Sequence, residues 1–360
     1  MTTIYIDTNI FMNESFFRSA QALAFLKACS IVQVSVVIPE IVIDEVLGNY
    51  PKKLRTKAKE FQRVQRELGR LIDIDMQDVS VTDEVSDYED WLYQLIDEKG
   101  VVIAPYPKIS VKELVDRSYC GEKPFKESGE GHKDFLVWET VKEHIDSDST
   151  TPPNFFVTNN VKDFGGKDEA DKDILFEKLA EQIEDVKRRP VLFTSLRAVF
   201  DKVLAPHLQD ISLDEIPDLN SDDIQMMTER YLLEDLPQRT AFGFEGVPFG
   251  NDVNISGVGA SDISEVTLKK VDDEVVIFVS GSVEIEVDGF MEKHSYYSDV
   301  DPDGGSNVYV VDSDWNNHVM AVSSSVETAF ELSIVYSVAE EKVTGYQIAL
   351  PDEIESDWYQ

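Results

Sequence analysis

The sequence predicts an α/β domain, a parallel sheet with helices on both faces, followed by a smaller, mainly antiparallel β domain. Three observations lead there. Short apolar runs alternate with helical patterns over residues 1–204. Residues 205–245 carry Pro206, Pro217 and Pro237 around one short helical stretch and read as a linker. From about residue 246 the texture turns to β-branched runs cut by Gly, Ser and Asp. The expected division is therefore 1–204, 205–245 and 246–360.

The elements follow in order. Ile4-Tyr5-Ile6 is an apolar, β-branched strand that runs directly into Asp7-Thr8-Asn9. Groups at the carboxyl ends of parallel strands face the crevice where ligands bind. Residues 16–28 have helical spacing, and residues 32–38 form a second strand stopped at Pro39. A helix over 40–47 is expected to end at Gly48-Asn49-Tyr50-Pro51. A basic helix over 52–71 and an acidic one over 83–99 come next. Strands at 101–104, 155–158 and 191–193 alternate with helices at 111–120, 134–145 and 170–186. A short helix over 221–233 follows. Strands are expected at 275–279, 283–287, 308–311, 318–322 and 329–335, with Gly-Ser and Asp-Pro-Asp-Gly-Gly as turns in a small sandwich or barrel.

Composition narrows the class. Of 360 residues, 42% are hydrophobic, enough for real cores. No apolar run reaches the roughly 18 residues of a membrane helix, and the first residues lack a signal-peptide core. Cys29 and Cys120 suggest neither a disulfide framework nor a zinc site, so a cytoplasmic setting is expected. The net charge is -37, unevenly spread. Residues 1–204 hold 27 Lys+Arg and 37 Asp+Glu, whereas residues 205–360 hold 6 and 33. The acidic half should repel nucleic acid and suits a basic protein partner; such acidity also occurs in halophiles.

Four acids sit at telling places. Asp7 ends the first strand, Glu45 lies one turn into the helix after Pro39, Asp134 opens an amphipathic helix, and Asp163 follows the fourth strand. Each alone has a plain structural reading: an N-cap, a surface acid, a helix-dipole acid, a turn residue. Four carboxylates brought to one site would repel one another and persist only with a hard cation to neutralise them.

Asp7-Thr8-Asn9, Pro39 to Glu45, Gly131-His132-Lys133-Asp134 with Trp138, and Thr158-Asn159-Asn160-Val161-Lys162-Asp163-Phe164 resemble the PIN domain of metal-dependent nucleases. The form is that of its larger subgroup described as a domain of unknown function. The resemblance covers about residues 1–200; residues 205–360 resemble no family. It implies Mg or Mn held by Asp7, Glu45, Asp134 and Asp163, and phosphodiester cleavage, mostly of RNA; an endoribonuclease acting as a toxin or defence effector is one expectation. It implies supporting roles for Thr8, Asn9, Thr158 and Asn160, with Thr158 holding Asp7 or a metal-bound water. Many members carry an acid where this chain has Asn160; if cleavage needs that acid, Asp163 must supply it here. A DNA-directed nuclease and a non-cleaving protein scaffold stay open, as does an oligomer.

Residues 51–70 hold Lys52, Lys53, Arg55, Lys57, Lys59, Arg63, Arg66 and Arg70 against Glu60 and Glu67. With Lys133 they form the expected nucleic-acid contacts. The alternative is a solvated face that pairs with the acidic helix at 83–99.

Overall fold

The computed structural model describes residues 2–147, 153–167, 173–216, 219–237, 239–241, 243–244, 247, 253–299 and 308–353. The chain divides into two compact units, residues 1–208 and 209–360.

The first unit is built on five short parallel strands. They are β1 (Thr3–Ile6), β2 (Ser35–Pro39), β3 (Val102–Ala104), β4 (Asn154–Val157) and, after a small hairpin, β7 (Val191–Phe193). Their order is β3-β2-β1-β4-β7. The chain thus fills one side of β1 first and then the other, which leaves a topological switch point between β1 and β4. Ile4 pairs with Val36 on one side and Phe155 on the other. Ile4, Tyr5, Ile6, Val37, Phe156 and Val157 are all but inaccessible, as a sheet covered on both faces requires.

Helices α1 (Thr8–Asn13), α2 (Ala20–Val32), α3 (Glu40–Leu68), α4 (Val81–Glu98), α5 (Val111–Cys120) and α6 (His132–Ser147) supply the crossovers. The short α7 (Val161–Phe164) leads into the hairpin of β5 (Gly165–Lys167) and β6 (Asp173–Leu175). Helix α8 (Glu177–Ala180) precedes β7, and α9 (Leu196–Val199) follows it.

Three expectations are corrected here. The helix expected from residue 16 starts at Ala20, with Ser19 as its cap. Ser15, Phe16 and Phe17 are left-handed instead, held by burial of both rings and a Phe11–Phe17 stack at 4.2 Å. The helix expected to end at Gly48–Pro51 runs on through Pro51 to Leu68. Tyr50 is buried and stacks on Tyr88 of α4 at 3.9 Å, so tertiary packing outweighs the local breaker signal. The helix expected over 170–186 gives way to β6 and α8; residues 168–172 lie outside the described residues.

The second unit holds an antiparallel sheet of seven strands, β12-β13-β11-β10-β8, with β14 on β13 and β9 on β10. They are β8 (Gln209–Asp210), β9 (Thr240–Ala241), β10 (Val253–Val271), β11 (Glu274–Glu292), β12 (Val308–Asp312), β13 (Val319–Ser337) and β14 (Lys342–Ala349). Helix α10 (Ser221–Asp235) brings Ile224, Tyr231 and Leu232 into the core under β10, β11 and β13. Helix α11 (Lys293–Asp299) follows β11.

The strand expectations merge. Residues 275–279 and 283–287 belong to one strand, as do 318–322 and 329–335. Gly281-Ser282 is therefore no turn. Gly281 lies inside β11, where a Cβ would come within 1.9 Å of the Asp262 carbonyl oxygen. A crossing this close admits only glycine. Strand β10 went unforeseen because three register shifts against β11 break its alternation. The Asp-Pro-Asp-Gly-Gly stretch lies outside the described residues.

Candidate active site

The site forms at the switch point, where β1 and β4 end. The Asp7 N–H donates to the Val157 carbonyl at 3.0 Å, which fixes the two strand ends together. Asp7 caps α1 and is buried. Its carboxylate accepts from the Thr8 N–H at 2.7 Å and from the Thr158 hydroxyl at 2.7 Å. Thr158 is fully buried and its hydroxyl is fully used. It donates to Asp7 and accepts from the Asn9 amide at 3.1 Å and the Asn160 N–H at 3.0 Å.

Glu45 arrives from α3. The Thr8 hydroxyl donates to one of its oxygens at 2.9 Å, and the Lys133 ammonium stands 2.5 Å from the other. Asp134 sits in the first turn of α6, where the helix dipole favours an acid. Gly131 just before α6 has φ +116, and a Cβ there would sit 2.5 Å from the Pro124 carbonyl oxygen. The residue admits no side chain, and this close approach sets where α6 begins.

Asp163 lies in α7, which Asn160 caps. The Asn160 amide nitrogen reaches both Asp163, at 2.9 Å, and Asp134, at 3.3 Å. An acid at 160 would add a fifth negative charge; the amide instead bridges two of the four already there.

Electrostatics confirm that the acids share one field. Asp7 is pushed up to about 6, chiefly by burial, against the Thr158 and Thr8 hydrogen bonds; Glu45 and Asp163 push it further. Asp134 is pushed up to about 7, by burial and then by the charges of Asp7, Asp163 and Glu45. The donor set is all carboxylate and fits a hard divalent cation. Among the described residues, no three His, Cys, Asp or Glu side chains are poised around one ion. Lys133 pairs with one Glu45 oxygen, and the Asn160 amide reaches one oxygen of Asp134 and one of Asp163.

Sequence reasoning missed Lys123. Its ammonium reaches the Gly165 carbonyl at 2.5 Å, lies over the Phe176 ring at 5.0 Å and feels the charge of Asp163. Burial holds it below its usual range. It sits in a polar loop before a proline, and nothing local marks it. The basic residues of α3 lie further off: Lys52 is seven residues beyond Glu45, about 10 Å along the helix. No α3-to-α4 ion pair forms among the described residues; Lys57–Glu60 and Arg63–Glu67 both stay within α3.

A parallel α/β unit that gathers carboxylates at its switch point sets hard oxygen donors where open α/β sheets bind ligands. Residues 4–164 match the family model of the PIN domain, which makes this part of the chain similar to that family. PIN domains are generally nucleases and typically use divalent metals. No curated protein and no solved structure matches the chain. No helix among the described residues is long and apolar enough to cross a membrane.

Proposed function

We propose that the PIN domain is a metal-dependent endonuclease and that its substrate is RNA. One observation carries the reading. Four carboxylates from four separate elements share one field at the switch point, and burial with mutual repulsion lifts Asp7 and Asp134 far above ordinary acids. Asp7, Glu45, Asp134 and Asp163 would hold Mg or Mn. Such an ion, when bound, neutralises the acids, activates a water and stabilises the leaving oxygen.

The chain's own residues set the geometry. Thr8 ties Asp7 to Glu45, its N–H on one and its hydroxyl on the other. Thr158 fixes Asp7, and Asn9 and Asn160 fix Thr158. Asn160 holds Asp134 and Asp163 apart at a set distance. Lys133 is 65% exposed at the rim and offers its charge to an arriving phosphate.

The test uses labelled RNA and DNA of one sequence, each with Mn²⁺ and with EDTA. RNA cleavage that needs Mn²⁺ and disappears in Asp7→Asn is the expected result. Cleavage that survives EDTA, or full activity in Asp7→Asn, would overturn the assignment; preferential cutting of DNA would overturn the substrate. A second reading, a PIN-fold binding scaffold, draws on the Lys133–Glu45 pair and on acids not yet poised around an ion. Calorimetry showing no Mn²⁺ binding would favour it.

A further inference from the structure

Because α3 runs unbroken through Pro51, Glu45 and the basic residues belong to one rod. At 3.6 residues per turn, positions separated by three, four or seven share a face. Lys52, Arg55, Lys59, Arg63 and Arg66 fall on one face, and Arg70 continues it in the closing turn. All six are exposed. The same face, carried back toward the start of the helix, passes through Gly48 and reaches Glu45. Lys53 and Lys57 fall on another side, and Lys57 is paired with Glu60.

Gly48 is the second observation. It lies inside the helix and is exposed, and a Cβ added there would meet nothing within 4 Å. A mid-helix glycine weakens a helix. Here neither a turn nor packing demands it. What it does leave is a bare stretch of backbone between the acid and the first lysine.

We infer that this face of α3 is a track for single-stranded nucleic acid, along which phosphates are met once per helical turn on the way to the carboxylates. The direction of the track rests on the nuclease reading above. The charges lie on a straight line. From Lys52 to Arg66 is about 21 Å at the rise of an α-helix. A duplex backbone turns through more than half a revolution over that length, since its pitch is about 34 Å. A flexible single strand can lie along the whole face. Glu67 stands 3.9 Å from Arg63 in an exposed pair, too weak to withdraw that charge.

The test compares two charge-matched double variants of the full chain, with EDTA present. Arg55→Gln with Lys59→Gln alters the track; Lys53→Gln with Lys57→Gln alters the other side. Anisotropy of labelled single-stranded RNA, single-stranded DNA and duplex RNA is followed across salt. The track variant should bind single strands about tenfold more weakly at low salt, with a log–log salt slope reduced by about 1.4. The off-track variant should change less than about threefold. Gly48→Gln should melt no lower than the parent and bind a long strand more weakly. Equal losses in the two double variants, or a duplex bound as tightly as a single strand, would overturn the track. Unchanged strand binding by Gly48→Gln would remove the passage past Gly48.

Cleavage measured alongside separates the two readings. A chain that cuts in Mn²⁺ while both doubles bind alike loses only the track. A chain that never cuts but shows the face-specific loss loses only the nuclease assignment.

Discussion

The two units use β-structure in opposite ways. In the first, strands of three to five residues, the central ones buried on both faces, deliver the chain to its helices. Their chemistry stands at the carboxyl ends, where Asp7 and Thr158 meet. In the second, β10, β11 and β13 run for 19 residues each, and over much of β11 burial alternates along the strand. Their acids stand along an open sheet face. Glu284 lies directly opposite Glu327, and Glu284 and Glu286 accept from Ser325 and Ser323. Of the acids gathered near the strand ends, Asp7 and Asp134 are pushed upward by burial; Glu284, Glu286 and Glu327 along the strands are exposed. The comparison teaches that position in the sheet, more than acid count, decides which carboxylates are set up for chemistry.

The largest expected effect breaks or keeps that contrast outright. Asp7→Asn should lower cleavage by about a thousandfold. Glu284→Gln, on the open face, should leave it unchanged. Initial rates on one labelled RNA measure both, and equal effects would erase the distinction.

Next come two glycines. Gly281→Ala forces a Cβ onto the Asp262 carbonyl and should cost about 3 kcal/mol. Gly48→Ala meets open space in a helix and should stabilise by about 1 kcal/mol. Denaturant melts should therefore shift in opposite directions.

The third effect is a pH profile without divalent ion. Asp134 has a folded value of about 7 against an ordinary 3.8, so the fold favours its protonated form. That contribution is present below about pH 4 and is lost as pH rises through 7. Asp134→Asn should match the parent near pH 4 and exceed it by roughly 2 kcal/mol at pH 8, after discounting for its partial exposure. Saturating Mn²⁺ should close the gap. A parent-to-variant difference that does not change with pH would show that the acid's field is unimportant to the fold.

The smallest effect belongs to the open face. Glu327→Gln removes one member of a directly opposed pair and should stabilise by about 0.5 kcal/mol. A cost there would mean the pair is bridged by something other than water.

Much of this was legible. Ile4-Tyr5-Ile6 followed by Asp7 announced the strand and its terminal acid, because an apolar β-branched run has few other uses. Asp134 and Asp163 stand out by helix and strand context together with the PIN resemblance, and the structure brings both to the Asn160 amide. The misses share a cause. The helix was expected to stop at Pro51, a local signal; the Tyr50–Tyr88 stack that carries it onward is tertiary. Gly281 resembled a turn and is a crossing point. Lys123 approaches Asp163 across 40 residues of chain, and no spacing rule reports such a neighbour. Asn160 looked like a missing acid and turns out to be an amide clamp.

The unbroken α3 has the proportions of a lever. A bend would come most easily at Pro51, where the helix lacks one N–H. The short arm carries Glu45, and the long arm carries Arg66, about 22 Å from the pivot. A change of about 10° at Pro51 would move Arg66 by about 4 Å while Glu45 shifts by under 2 Å. A bend at that one residue would re-aim the whole charged arm relative to the carboxylates, and the Tyr50–Tyr88 stack beside it would brace it.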